Sequence, residues 1–168
     1  MYFRGRTSRT IDPKGRLVLP PDYRESLLVR EKAMNSSSSE LDPGSDAEEQ
    51  VAQFVITTFD NCLLAYPWPD WIELEKKFTR ISNPSPKVRT FRRLFLGGAE
   101  VHSLDAQGRI RLSQDHRDYA KLEKEVTLVG LIERFELWNP AMLKSSMEQQ
   151  PISDVSDELA ASGIDFQL

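Results

Sequence analysis

One eight-residue stretch occurs twice, and this duplication limits the fold more than any other feature. Asp12-Pro13-Lys14-Gly15-Arg16-Leu17-Val18-Leu19 is echoed by Asp105-Ala106-Gln107-Gly108-Arg109-Ile110-Arg111-Leu112, with Asp, Gly, Arg and the last Leu matched at an offset of 93. The match continues through Asp22/Asp115 and Arg24/Arg117. Two copies at long range imply two related halves, not a solenoid of short repeats.

Each copy reads as a tight turn feeding a strand. Asp at the first position accepts backbone N–H bonds, Pro presets φ at the second in the first copy, and Gly takes the last place. Gly15 and Gly108 are expected at positive φ, the bulge position of a three-residue hairpin loop. Beyond the glycine, Leu17 and Leu19 face one way and Val18 the other; Ile110 and Leu112 repeat the pattern with Arg111 outward. Arg16 and Arg109 follow the turn glycines. They can simply pair with the neighbouring turn aspartates, or they can form a duplicated DNA-reading element. A two-stranded ribbon fits the major groove, and Arg bridges guanine O6 and N7.

Net charge is −4, yet the charge is segregated. Residues 1–30 carry seven Lys/Arg against three Asp/Glu, and residues 80–93 carry five basic residues and no acid. Residues 33–60 hold six acids and no base, and residues 148–168 hold five acids and no base. Local patches govern contact with phosphates more than the net value does. No 18-residue apolar run exists, so no transmembrane helix is expected. The basic N-terminus lacks a following apolar segment, which argues against a secretory signal. The single Cys62 excludes an internal disulfide and fits a reducing compartment; its apolar neighbours mark it as a core thiol.

Along the chain, a basic arm anchored by Tyr2 and Phe3 leads into strand, turn and strand over residues 7–19. A short helix follows to about Arg30. Residues 33–50, rich in Ser and acid, read as a flexible insertion. Residues 53–58 and 62–66 read as strands joined at Asp60-Asn61; residues 127–132 and 135–138 read likewise, joined at Glu133-Arg134. The two hairpins align at an offset of 73, and the 20-residue shortfall from 93 matches the insertion. Asp70 and Glu73 suggest a capping box, with Trp71, Leu74, Phe78 and Ile81 on one helical face. Ser85 caps a second helix with Pro86 at N1 and Val88, Phe91 and Phe95 as its stripe. Those helices pack on the sheets or on a neighbouring protomer. Asn139-Pro140 opens a last helix with Leu143 and Met147 inward. The division is a first repeat at 1–67, a helical pair at 68–98, a second repeat at 99–148 and a frayed acidic tail at 149–168.

The twin Asp-x-x-Gly-Arg motifs flank a central helical pair and the strand Cys62-Leu63-Leu64-Ala65-Tyr66-Pro67. Together with Phe3-Arg4-Gly5, Arg92-Arg93-Leu94-Phe95-Leu96-Gly97 and Phe135-Glu136-Leu137-Trp138, they closely resemble the MraZ family of bacterial transcriptional regulators. The resemblance covers roughly residues 1–148 apart from the insertion. It implies an α+β, β-rich fold of two pseudo-symmetric swapped-hairpin β-barrel halves related to AbrB-type DNA-binding domains, assembled into homo-oligomeric rings. It also implies a cytoplasmic, nucleoid-associated regulator, commonly a repressor, that binds repeated boxes in double-stranded DNA upstream of the division and cell-wall gene cluster. The motif arginine of the family falls on Arg16, with Arg109 as its repeat partner. Lys14, Arg9, Arg6, Gln107 and Arg111 extend the DNA-binding set by proximity, and Asp12, Gly15, Asp105 and Gly108 form the turns. The second copy lacks the Pro and Lys of the first, so the copies are expected to bind unequally.

A protein-interaction scaffold without specific DNA binding is the competing reading. Catalysis has no support: no G-x-S-x-G or Walker A pattern occurs. The two histidines, His102 and His116, lie 14 residues apart without metal-ligand spacing. They read as surface or capping residues, and neither a metal nor a cofactor is expected.

Overall fold

The computed structural model describes residues 2–38, 52–149 and 155–164. Strand β1 (Arg6–Thr10) leads through the first turn to β2 (Arg16–Val18) and helix α1 (Pro21–Ser38). A hairpin of β3 (Gln53–Phe59) and β4 (Cys62–Pro67) precedes helices α2 (Trp68–Thr79) and α3 (Pro86–Phe95). The second half then repeats the order: β5 (Glu100–Ser103), β6 (Arg109–Arg111), α4 (Gln114–Tyr119), β7 (Glu125–Leu131) and β8 (Arg134–Trp138). Helices α5 (Pro140–Gln149) and α6 (Val155–Ala161) follow.

The strands of the halves interleave. One sheet has six strands in the order β1-β7-β8-β4-β3-β5, and a separate two-stranded ribbon pairs β2 with β6. Exchanging β1 for β5, β3 for β7 and β4 for β8 leaves the six-strand order unchanged. The first strand of each half therefore pairs with the hairpin of the other: Ser8 faces Thr127 and Val101 faces Val55. The expected barrel halves are corrected here. Among the described strands the large sheet is open, because β1 and β5 each have a neighbour on one side only.

Alternation along the hairpins divides two cores, since successive side chains in a strand point to opposite faces. Phe54, Ile56, Leu63, Ala65, Val126, Leu128, Phe135 and Leu137 face one way, onto the ribbon residues Leu17, Leu19, Ile110 and Leu112 and onto Tyr23 and Leu27 of α1. Val55, Cys62, Leu64 and Trp138 face the other way, onto Trp71 of α2 and Phe95 of α3. The molecule is thus layered, with the ribbon and α1 on one face of the sheet and α2 and α3 on the other. Thr57 and Thr58 donate their hydroxyls to the carbonyls of Phe95 and Leu94. The sheet thereby satisfies the Phe95 carbonyl that the end of α3 leaves open, and adds a second bond to the Leu94 carbonyl, which also accepts the Gly98 N–H at 3.1 Å.

Several expectations change. The hairpins superpose at an offset of 72, not 73, as the pairs Val55–Tyr66 and Thr127–Trp138 require. A one-residue slip would exchange the two faces of the strand. The second hairpin turns at Ile132-Glu133, since Leu131 pairs with Arg134; the first turns at Asp60-Asn61, both at positive φ. Helix α1 runs to Ser38, so residues 33–38 are helical, and residues 39–50 of the insertion lie outside the described residues. Asp70 caps nothing: α2 begins at Trp68 behind Pro67, which makes no side-chain cap bond. Asp70 pairs with Arg30 of α1 instead, and Glu73 with Lys76. Ser85 does cap α3, accepting from the Val88 N–H at 3.3 Å. Ile81 and Met147 stay exposed, whereas Leu143 packs on the second core. The acidic tail contributes α6. In the N-terminal arm Phe3 is buried and Tyr2 exposed, the Tyr2 ring lying beneath the guanidinium groups of Arg4 and Arg30.

Candidate functional site

The two repeated turns are built alike. Gly15 N–H donates to the Asp12 carbonyl at 2.9 Å and Gly108 N–H to that of Asp105 at 2.8 Å. Both glycines have positive φ, +79° and +72°, a region that costs a side chain but not glycine. Asp12 Oδ1 accepts the backbone N–H of Lys14 and of Arg16, and Asp105 Oδ1 accepts those of Gln107 and Arg109, all at 2.9 Å. The other carboxylate oxygen takes the arginine side chain: Nε of Arg16 and of Arg109 donates to Oδ2 at 2.7 Å. These hydrogen bonds, the backbone N–H of the arginine first among them, hold both aspartates below the usual carboxylate range.

Pairing with the turn aspartate is therefore realised, and it orients the guanidinium without enclosing it. The Arg16 and Arg109 side chains remain 34% and 31% exposed. Each uses Nε on the aspartate, and Arg16 makes no other side-chain bond among the described residues. Arg109 is held once more, by Nη2 to Gln107 Oε1 at 3.0 Å. Lys14, at the matching position, has no acceptor to offer its arginine. The unequal copies noted in the sequence thus differ in how tightly their arginines are fixed.

The ribbon brings the copies together. Arg16 faces Arg111, Leu17 faces Ile110 and Val18 faces Arg109. Leu17 and Ile110 are buried beneath, so the outer face displays Arg16, Arg109, Arg111 and Val18. Outer bonds lock the ends: Leu19 N–H donates to the Gly108 carbonyl at 3.1 Å and Leu112 N–H to that of Gly15 at 2.8 Å. Like charges directly opposite on a strand pair oppose pairing. Here Asp12 compensates Arg16, while Arg111 is exposed and makes no ion pair or hydrogen bond among the described residues. Lys14 and Gln107 stand exposed at the two turns.

Arg6 and Arg9 are not on the ribbon. They sit on β1, at the edge of the large sheet, opposite Val129 and Val126. Arg6 is exposed, and Arg9 turns back to Thr7 Oγ1 and the Ser8 carbonyl, each at 2.9 Å.

Two arginines carry more structural weight than their place in the repeat suggested. A Cβ on Gly108 would lie 2.4 Å from Arg24 Cδ, and one on Gly15 would lie 3.3 Å from Arg117 Cζ. Each helix after a ribbon strand thus sends an arginine onto the turn of the other half. Their matched positions at the repeat offset were the signal; the crossing of halves gives it meaning.

The histidines are not surface residues. His116 is 2% exposed and the His102 side chain 9%, and their rings approach to 6.2 Å between centroids. Burial, opposed by Glu100, pushes the His102 imidazole down to about 4. Cys62 is buried, as expected, and burial raises its thiol. No described helix is long and apolar enough to cross a membrane.

Comparison with known proteins decides the family. A chain from Nitratidesulfovibrio vulgaris strain Hildenborough, named transcriptional regulator MraZ, is 48% identical over 166 residues, covering 99% of each chain. This chain belongs to the MraZ family. The homologue of the same name from Nitratidesulfovibrio vulgaris strain Miyazaki F is 44% identical over the whole of both chains, as is that from Oleidesulfovibrio alaskensis. The family model described as "MraZ protein, putative antitoxin-like" matches residues 95–162, which include the second MraZ turn and its ribbon strand.

Proposed function

We propose that this member of the MraZ family is a sequence-specific DNA-binding transcriptional regulator that reads DNA with its β2–β6 ribbon. The observation that carries the reading is the outer face of that ribbon, where three of the four paired outward side chains are arginine. A two-stranded ribbon has the width to enter the major groove, where Arg is the commonest reader of guanine. Arg16 and Arg109, oriented by Asp12 and Asp105, are suited to base edges. Lys14 and Arg111, whose exposed side chains make no hydrogen bond or ion pair among the described residues, are suited to phosphates, which fix register without carrying sequence information. Arg6 and Arg9 on β1, and Gln107 through Arg109, support the face from its margins. The curated relatives' name, transcriptional regulator, supports the same reading.

The finer parts of the proposal follow the resemblance. The halves, 1–67 and 99–148, act as a duplicated swapped-hairpin unit, with the helical pair 68–98 between them and the acidic tail 149–168 beyond. Repeated boxes upstream of the division and cell-wall gene cluster are the target, repression is the outcome, and the protein works at the nucleoid in the cytoplasm. A ring of protomers engages several boxes at once. Linking weak sites raises avidity by roughly 10²–10⁴ without new contacts. The open edges β1 and β5, with Val101 of β5 59% exposed, support self-association.

Fluorescence anisotropy tests the reading on a duplex from upstream of the protein's own gene, against a scrambled duplex. The wild type is expected to prefer the former, and Arg16→Ala combined with Arg109→Ala to lose that preference while remaining folded. Equal binding to both duplexes would reduce the protein to a nonspecific electrostatic binder. No binding by an intact oligomer would favour a protein-interaction scaffold.

A further inference from the structure

Beside β5, Glu100, His102 and His116 bring three ligand atoms within 4.8 Å of one another. Glu100 Oε2 lies 3.7 Å from His102 Nε2 and 3.7 Å from His116 Nδ1. Neither imidazole nitrogen has a hydrogen-bond partner among the described residues, although both are buried. We propose that these three side chains form a divalent transition-metal site, selective for zinc-like ions over magnesium.

The surroundings prepare the donors. His116 Nε2 lies 2.7 Å from the Gly98 carbonyl, which only accepts, so Nε2 donates there and Nδ1 is the nitrogen turned toward Glu100. A histidine ligand whose other nitrogen donates to a backbone carbonyl is the usual outer-shell arrangement at a metal. Glu100 is held likewise: Ser113 Oγ donates to its Oε1 at 2.7 Å, leaving Oε2 toward the rings. His102 is kept in place by stacking on Phe54, 5.9 Å between centroids. His102 Nε2, His116 Nδ1 and a carboxylate oxygen of Glu100 thus face one another with no hydrogen bond between them, an arrangement that a bound cation would satisfy. Two His and one Glu suit zinc, whose bonds of about 2.1 Å place tetrahedral ligand atoms about 3.4 Å apart. The two 3.7 Å separations need to close by only a few tenths of an ångström. Magnesium prefers oxygen donors and keeps its water.

The repeat supplies an independent argument. Its offset of 93 puts Thr7, Arg9 and Tyr23 where Glu100, His102 and His116 stand, and Gly5 where Gly98 stands. In the first half Tyr23 Oη donates to the carbonyls of Arg4 and Gly5, as His116 donates to that of Gly98. Arg9 donates to Thr7 Oγ1 there. The first half thus carries its own fixed cation at this place. The second half replaces that guanidinium with two nitrogen donors beside a carboxylate.

The test uses the untagged full-length chain, stripped with a chelator and titrated with Zn²⁺ against a chromophoric zinc indicator. One Zn²⁺ per chain is expected, with a rise in melting temperature that Mg²⁺ does not reproduce. Glu100→Gln, which keeps the acceptor for Ser113, and His102→Gln should each weaken binding at least tenfold. Cys62→Ser should leave it unchanged. Co²⁺ should give visible bands of a low-coordinate N/O site, lost in Glu100→Gln. A wild type that takes no more zinc than folded Glu100→Gln, or zinc binding that survives both variants, would overturn the proposal.

Discussion

At Gly15 an added methyl group would stand 2.8 Å from the carbonyl oxygen of Leu112, a backbone atom fixed by the ribbon. At Gly108 the same group would meet the side chain of Arg24, at 2.4 Å from Cδ and Nη1, and that chain can swing aside. Both glycines have left-handed φ, so alanine at either costs about 1–3 kcal/mol in strain. That is roughly 2–12 °C of melting temperature for a chain this size. Gly15→Ala is expected to lower the melting temperature more than Gly108→Ala, because only the first also displaces backbone. Equal losses would show that the ribbon is less rigid than this geometry implies. The turn aspartates allow a second check. Their carboxyl groups titrate below the ordinary value of 3.8 because folding supplies N–H donors to the charged form. The contribution of a lowered carboxyl is complete above the unfolded value and lost as pH falls through the folded one. Carboxyl-detected NMR should therefore place the Asp12 and Asp105 midpoints below 3.8, and a midpoint above it would contradict the hydrogen-bonded turns.

Among the elements, the ribbon is the least self-sufficient. Three residues on each side form an isolated pair, and two strands of that length have little stability without packing beneath them. That packing comes from Leu17 and Ile110, which face each other across the ribbon and are both buried. Truncating either to alanine is expected to cost about 2–5 kcal/mol. A double-mutant cycle should return a coupling of about 0.5–3 kcal/mol, since the residues touch. Additive losses would mean that the ribbon does not pair across the halves in solution. Helix α1 is also set by its neighbours. Arg30 reaches Asp70 of α2, and Glu31 accepts the backbone N–H of Gln53 at 2.9 Å, so the helix is tied beyond the point where its apolar pattern ends.

For the whole molecule, the proposed DNA reading draws on charge placement more than on net charge. The outer ribbon face concentrates arginine in a chain whose overall charge is −4. On the proposed reading, each phosphate contact contributes about −0.9 to the slope of log affinity against log salt. Arg111→Ala, which breaks no ion pair or hydrogen bond among the described residues and removes a like charge opposite Arg16, should reduce that slope by about one without lowering the melting temperature or the sequence preference. Loss of preference without a change in slope would make Arg111 a base reader instead.

The sequence by itself determined the local chemistry. Asp, Gly and Arg at fixed spacing dictate the turn and the positive φ of Gly15 and Gly108, because only short-range hydrogen bonds and sterics are involved. Strand alternation at Leu17 and Ile110, the Asp60-Asn61 turn and the Ser85 cap were legible for the same reason. The repeat also marked Arg24 and Arg117 as equivalent, without saying what they touch. Tertiary structure decided which strand pairs with which. That Arg16 faces Arg111 depends on partners 95 positions apart, and a turn motif carries no information about its distant neighbour. The correct hairpin offset depended on which face meets the ribbon. His102 and His116 came together because the fold brings α4, which carries His116, beside Glu100 and His102 of β5, a closeness that their separation along the chain conceals.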